Sequence, residues 1–323
     1  MFNSFIINKM KKFLLLSTIT AIAAGSFISC SQNDDEISPL ESRKEVNFSS
    51  NIIKVTPPAT RAAGDIWHEN DSIGIFMFEE ATTNVVEGMS NVKYTTATGG
   101  ETGSFTAANK VIYFPDNSDK VRFMSYYPYT ANLVGNTYKV DVSVQTNQPA
   151  IDLLYSFDTN AKYDKTTPDK KVSLVFDHML TKININVKPG DGLEVEDLEN
   201  IIVTLEGFNT KADFDLISGT FIDISDVNII TPLVITAKNG YVVSSDAIII
   251  PTANPSSAKI VFNLNNGVSE EIKNDIFTWT FKDKALENGY EYVYDVTVKR
   301  SGIVVEATIN DWTTGDPEVI DAE

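Results

Sequence analysis

Short runs with a two-residue period recur along almost the whole chain, and they restrict it to a β fold. In the first half, period-two alternation and β-branched or aromatic residues recur in short runs at 72–78, 92–98, 111–114, 121–126, 138–144, 172–176 and 182–188. The second half adds 201–206, 220–224, 233–237, 247–250, 259–264, 277–281, 290–299 and 303–309. Alternation places one set of side chains on one sheet face, so each run reads as a strand. Turn residues punctuate them: Thr98-Gly99-Gly100, Asp116-Asn117-Ser118, Asn239-Gly240, Asn265-Asn266-Gly267 and Asn288-Gly289. No segment sustains a helical apolar stripe, although residues 194–200 allow one short helical turn. Many short strands at regular spacing predict an all-β chain of antiparallel sandwiches.

The chain has 323 residues, room for about two domains of roughly 150 residues each. One internal similarity supports a division. Tyr113-Phe114-Pro115 is followed by a polar turn and Lys120-Val121-Arg122-Phe123; Ile249-Ile250-Pro251 is followed by a polar turn and Lys259-Ile260-Val261-Phe262. Each reads as a strand stopped by proline, which cannot donate to a ladder, and then a returning strand. Lys, Asp, Thr and Pro168 crowd between residues 159 and 171, where apolar residues thin out. The expected domains are 45–165 and 166–323.

Residues 1–29 do not belong to that fold. Lys9, Lys11 and Lys12 precede an apolar run from Phe13 to Phe27 that softens through Ala23, Ala24, Gly25 and Ser26 and ends at Phe27-Ile28-Ser29-Cys30. Basic, apolar and small-residue regions in that order form a secretory signal. Cys30 is the single cysteine and stands where a lipoprotein signal peptidase would leave the new N-terminus, so it is the expected lipid attachment site. A lone cysteine cannot close an internal disulfide. Residues 30–44 then read as an acidic tether. Its start, Ser31-Gln32-Asn33-Asp34-Asp35-Glu36, resembles the signal that moves lipoproteins to the outer face of the outer membrane in some Gram-negative anaerobes; a plain solvated tether is the other reading. Met10, followed by Lys11-Lys12, is an alternative start.

Composition excludes several classes of partner. Lys and Arg number 26 against 44 Asp and Glu, a formal net charge of −18, and removal of the three leader lysines makes it more negative. Nucleic acid repels such a chain, so no nucleic-acid partner is expected. His68 and His178 stand far apart with no second His or Cys nearby to complete a zinc set, and no phosphate loop or nucleophile elbow appears. No catalytic residue, metal or cofactor is expected, and the chain reads as a non-enzyme. His178 reads as a hydrogen-bonded structural histidine. Tyr126-Tyr127-Pro128-Tyr129 and the tryptophans Trp67, Trp279 and Trp312 either fill sandwich cores or form a platform for stacking sugars.

Pieces spread through the chain resemble the fimbrillin-like family, the subunits of lipoprotein-derived pili of gut and oral Gram-negative anaerobes. They are the lipobox at Cys30; Val46-Asn47-Phe48-Ser49-Ser50; Ala59-Thr60-Arg61-Ala62; Trp67 leading to Asp71-Ser72-Ile73-Gly74-Ile75-Phe76-Met77; Tyr113-Phe114-Pro115; Phe123 to Tyr129; Asp152-Leu153-Leu154-Tyr155; Phe176 to Ile183; Gly289-Tyr290-Glu291-Tyr292; and Ile309-Asn310-Asp311-Trp312. The resemblance implies two transthyretin-like β-sandwiches in tandem and a precursor carried to the cell surface as an outer-membrane lipoprotein. It also implies that an extracellular Arg-specific protease removes the segment through the first strand, and that a strand from the next pilus subunit fills the groove. The physics stands by itself, because a missing strand exposes unpaired N–H and C=O groups that a donated strand satisfies. Head-to-tail donation does not close and so yields a fibre.

Arg61 is the expected cut site, before Ala62. Thr56-Pro57-Pro58-Ala59-Thr60 precedes it as an extended spacer, and Ala62-Ala63-Gly64 follows as a small, flexible stretch. Cutting there releases residues 48–55; a cut at Arg43, the runner-up, leaves them attached. The acidic residues 313–323 are either a short donor or a tail, so stalk, tip and minor subunit all stay open. The expected partners are other pilus subunits, the protease, the outer membrane through lipid, and a host or bacterial surface ligand in adhesion. The alternative function is a monomeric surface lipoprotein that binds glycans through the aromatic platform.

Overall fold

A computed structural model describes residues 43–52, 66–80, 82–157, 163–264, 275–311 and 318–320. The first strands in chain order are β1 (Asn47–Ile52), β2 (Ser72–Glu79), β3 (Val92–Thr96), β4 (Thr102–Ala107), β5 (Val121–Tyr127), β6 (Thr137–Asp141), β7 (Leu154–Phe157) and β8 (Lys171–His178). All but β6 join into one closed barrel, in the order β1-β4-β3-β2-β5-β7-β8, with β8 returning to β1. The remaining strands are β9 (Thr181–Pro189), β10 (Ile201–Asp215), β11 (Thr220–Ile230), β12 (Leu233–Ile235), β13 (Val243–Ile249), β14 (Lys259–Leu264), β15 (Asp275–Thr280), β16 (Tyr290–Lys299), β17 (Gly302–Asp311) and β18 (Glu318–Ile320). They form two sheets: β11-β10-β14-β15, to which β6 adds alongside β10, and β12-β13-β9-β16-β17-β18.

The all-β expectation holds, and the tandem of antiparallel sandwiches needs correction. The N-terminal sheet closes on itself, and it closes through a parallel pair, β1 on β8. The C-terminal half also contains a parallel pair, β16 on β9. Period-two alternation says which face a residue takes but not which strand lies beside it. The proline-stopped units need the same correction. Tyr113 bridges Glu45, while β5 pairs with β2 and β7; β13 pairs with β9 and β12, while β14 pairs with β10 and β15. In neither unit does the second strand fold back on the first. β4, a Thr-Gly-Ser-Phe-Thr-Ala strand, escapes prediction because only Phe105 marks it as strand. The short helical turn expected at 194–200 is a 3-10 turn over Val195–Asp197, capped by reciprocal bonds between Glu194 and Asp197.

Two cores organise these sheets. Ile73, Ile75 and Met77 of β2 and Val121 and Phe123 of β5 fill the barrel. The alternate residues Phe76, Phe78, Met124 and Tyr126 face outward from it, yet they too are buried, in a core shared with Ile183, Ile185, Phe262 and Val296. The wall made by β2 and β5 is therefore covered on both faces. This explains the unbroken apolar character of Ile73 to Phe78 around Gly74, since a strand buried on both sides has no polar face to maintain.

Candidate functional site

β1 occupies a slot between β4 and β8 that its removal would open. Its antiparallel register with β4 runs from Phe48↔Phe105 to Asn51↔Thr102, and its parallel register with β8 runs from Asn47↔Lys171 to Ile52↔Phe176. The chain just before it is tied as well: Val46 N–H donates to the Ile112 carbonyl at 3.0 Å, and Phe114 N–H donates to the Lys44 carbonyl at 3.0 Å. Asn47 Nδ2 donates to the Asp169 carbonyl at 2.9 Å. Loss of this segment would leave two strand edges unpaired, and unpaired edges recruit strands.

Alternation aims the strand. Val46, Phe48, Ser50 and Ile52 point into the barrel, while Asn47 and Asn51 are exposed. Phe48 meets Tyr94 and Phe123 edge-on, with ring centroids 5.0 and 5.1 Å away, the favoured arrangement of aromatic quadrupoles. Burial pushes the Tyr94 hydroxyl up to about 12; the 2.8 Å bond it accepts from Ile112 N–H opposes the rise, and the Glu45 charge adds to it. Glu45 and Ile112 both belong to the pairing that holds the N-terminal segment.

On the far side of Arg61 the chain is gripped at Trp67. Its N–H donates to the Gly100 carbonyl at 2.9 Å and its carbonyl accepts from Gly100 N–H at 2.8 Å. Its buried ring stands edge-on to Phe105, Tyr127 and Phe176, with centroids 5.0, 5.6 and 5.3 Å away. These partners of Trp67 all follow it in the chain.

Cys30, Arg61 and Ala62 lie outside the described residues. Arg43 is exposed and sits ahead of the bridge between Glu45 and Tyr113. His178 is buried with Nδ1 3.1 Å from Asp152 Oδ1, and His68 is exposed. Among the described residues no group of three His, Cys, Asp or Glu side chains could hold a metal. Of the aromatics considered for a sugar platform, Trp67, Tyr126 and Tyr127 are core residues; Tyr129 is half-buried under Lys93, 5.2 Å from its ring centroid. Trp279 is half-buried and lines an apolar pocket with Phe281, Tyr294 and Ile309. Sequence reasoning marked β1 and the strand at 172–176 but not their parallel pairing, nor the role of Tyr94, because these depend on contacts remote in sequence.

A family model described as fimbrillin-like matches residues 60–312. Over 264 residues the chain is 34% identical to a Bacteroides uniformis protein named "Putative fimbrium subunit Fim1C", spanning 80% of this chain and 82% of that one. A crystal structure described as a "putative cell adhesion protein" from Bacteroides uniformis matches with a TM-score of 0.69 at 32% identity, over 85% of this chain and all of that one. A structure with the same description from Bacteroides ovatus matches with a TM-score of 0.65 at 22% identity, over 85% of this chain and all of that one, and shares the fold. A family match over most of the chain, together with a relative of this identity and coverage, decides membership: the chain belongs to the fimbrillin-like family.

Proposed function

We propose that this protein is a stalk, tip or minor subunit of a surface fimbria with a part in adhesion, exported as a lipoprotein on Cys30 and activated by cleavage after Arg61. Cleavage frees the segment that includes β1, and a strand of another fimbrial subunit takes its place. The observation that carries the reading is the seat of β1: the first strand among the described residues lies in the barrel between an antiparallel and a parallel neighbour, and the described chain resumes at residue 66 with Trp67 paired to Gly100. Among the described residues, removal of the part before Arg61 thus takes out β1 and no other strand. Lipid on Cys30 places the precursor on the outer membrane; Cys30→Ala is expected to abolish fatty-acid labelling, and equal labelling of the variant would refute the assignment. The two-part organisation, 45–165 and 166–323, is proposed in the same spirit, with β8 contributing to the barrel and β6 to the second part. A transthyretin-like topology is proposed for the two-sheet part.

Limited Arg-specific digestion of the purified precursor tests the activation step. Digestion is expected to lower the thermal midpoint and to make the protein accept a donor strand or polymerise. Arg61→Ala should abolish the change and Arg43→Ala should not. An unchanged midpoint and size after complete cutting would sink the proposal. The glycan-binding alternative draws on the pocket at Trp279; it gains if the uncut monomer binds oligosaccharides and digestion alters nothing.

A further inference from the structure

Within the slot, one level differs from the rest. The inward column of β1 reads Val46, Phe48, Ser50, Ile52. Phe48 lies between Phe105 of β4 and Val172 of β8, whereas Ser50 lies between Gly103 and Leu174. A Cβ on Gly103 would come within 2.5 Å of Phe105 Cε2 and 2.9 Å of Trp67 Cδ1, so these two rings already fill the space at that level. Ser50 itself is 1% exposed, and its Oγ has no hydrogen-bond partner among the described residues. A buried hydroxyl without a partner forfeits its hydration for nothing, whereas a methyl group in its place would not.

We propose that the slot selects its incoming strand at the Ser50 level and that Ser50 makes β1 the weaker occupant. The selected partner is a β-segment of another fimbrial subunit carrying a large apolar residue, a small apolar residue two positions later, and an aliphatic residue two positions after that. This rests on the strand-exchange reading above and adds to it a register and a direction. A slip of one residue turns the apolar side outward, and a slip of two drives a large side chain against Trp67 and Phe105; the small residue therefore fixes the register. Alanine at this level keeps the fit and removes the orphaned hydroxyl. A donor with alanine there outcompetes β1, and exchange runs towards assembly.

Two measurements test the proposal. In the uncut chain, Ser50→Ala is expected to raise the thermal midpoint by a few degrees and Ser50→Leu to lower it; no rise, or a fall, with Ser50→Ala overturns the weak-point assignment. In protein cut after Arg61 with β1 still seated, labelled synthetic peptides spanning residues 44–52 are offered as competitors, with Ser, Ala or Leu at position 50. The Ala peptide is expected to displace β1 about tenfold faster than the Ser peptide, and the Leu peptide about tenfold slower. Equal rates for all three overturn the size rule. If no peptide enters, strand exchange itself fails, and the melting series on the uncut chain still decides whether Ser50 weakens β1.

Discussion

Tyr94 is the residue whose chemistry reports most directly on the slot. In the closed barrel its hydroxyl is raised from 10.0 to about 12, chiefly by burial. A raised acid stays protonated in the fold, so its contribution to stability is complete below pH 10 and fades as pH climbs towards 12. Release of β1 takes away both the cover of Phe48 and the charge of Glu45. Ultraviolet titration of tyrosinate should then show one tyrosine moving back towards 10.0 in protein stripped of residues 43–52; an unchanged titration would mean that Tyr94 stays covered. Lys182 makes a second residue-scale argument. It is 1% exposed and lies 3.2 Å from both Asp246 and Glu291, on the strands either side of β9. Burial alone would pull the ammonium down, but the two carboxylates outweigh it and hold it above the usual lysine value of 10.5. The trio therefore stabilises the fold below pH 10.5 and fails only above it. Lys182→Met strands two carboxylates in a poorly hydrated site and should cost about 3–5 kcal/mol in urea unfolding at neutral pH. Adding Asp246→Asn and Glu291→Gln should recover part of that loss.

At the scale of the element, β1 is a strand whose worth depends on where it sits. Phe48→Ala in the uncut chain removes a ring held by Tyr94 and Phe123, and should cost about 3–5 kcal/mol, a large-to-small change in a packed core. After cleavage and release of β1 the same substitution should make no difference to the melting of what remains. A penalty that persists after release would mean that the strand has not left. Much of this element was legible in advance. Val46-Asn47-Phe48-Ser49-Ser50 was marked by its resemblance to the first strand of the fimbrillin-like family, and a strand does form there, over Asn47–Ile52. Its parallel pairing with the strand at Lys171–Phe176 was not legible, because that strand lies over a hundred residues away and a strand can pair in either direction. Ser50 was illegible as a weak point for a related reason. A serine in a strand is unremarkable until the residues beside it, here Gly103 and Leu174, determine whether its hydroxyl finds a partner.

For the whole molecule, the barrel and the two sheets share material. β6 leaves the barrel's stretch of sequence to pair with β10, from Thr137↔Asp215 to Asp141↔Lys211. Phe76, Phe78, Met124 and Tyr126 lie on barrel strands but in the second core. Tyr155, on β7, donates its hydroxyl to the Leu216 carbonyl at 2.7 Å, a further tie between the two parts. Parts joined through one hydrophobic core lose it together, so calorimetry of the uncut chain should give a single transition. Phe78→Ala should lower that one transition rather than split it. Two separated transitions, one unaffected by Phe78→Ala, would mean that the halves unfold independently.

Sequence alone determined what local chemistry determines. Period-two runs, β-branched and aromatic residues and Gly/Asn turns are each read within a few neighbouring residues, and they set the all-β class and most strand positions. The leader expected to end at Cys30 is likewise read from a linear pattern. Only the tertiary structure decided that the first sheet closes as a barrel, that β1 and β16 run parallel to β8 and β9, and that the β2–β5 wall is buried on both faces. Those outcomes rest on which edges meet across long stretches of chain. Every strand edge presents the same N–H and C=O groups, so pairing is chosen by the packing of the assembled side chains and not by the strand's own sequence.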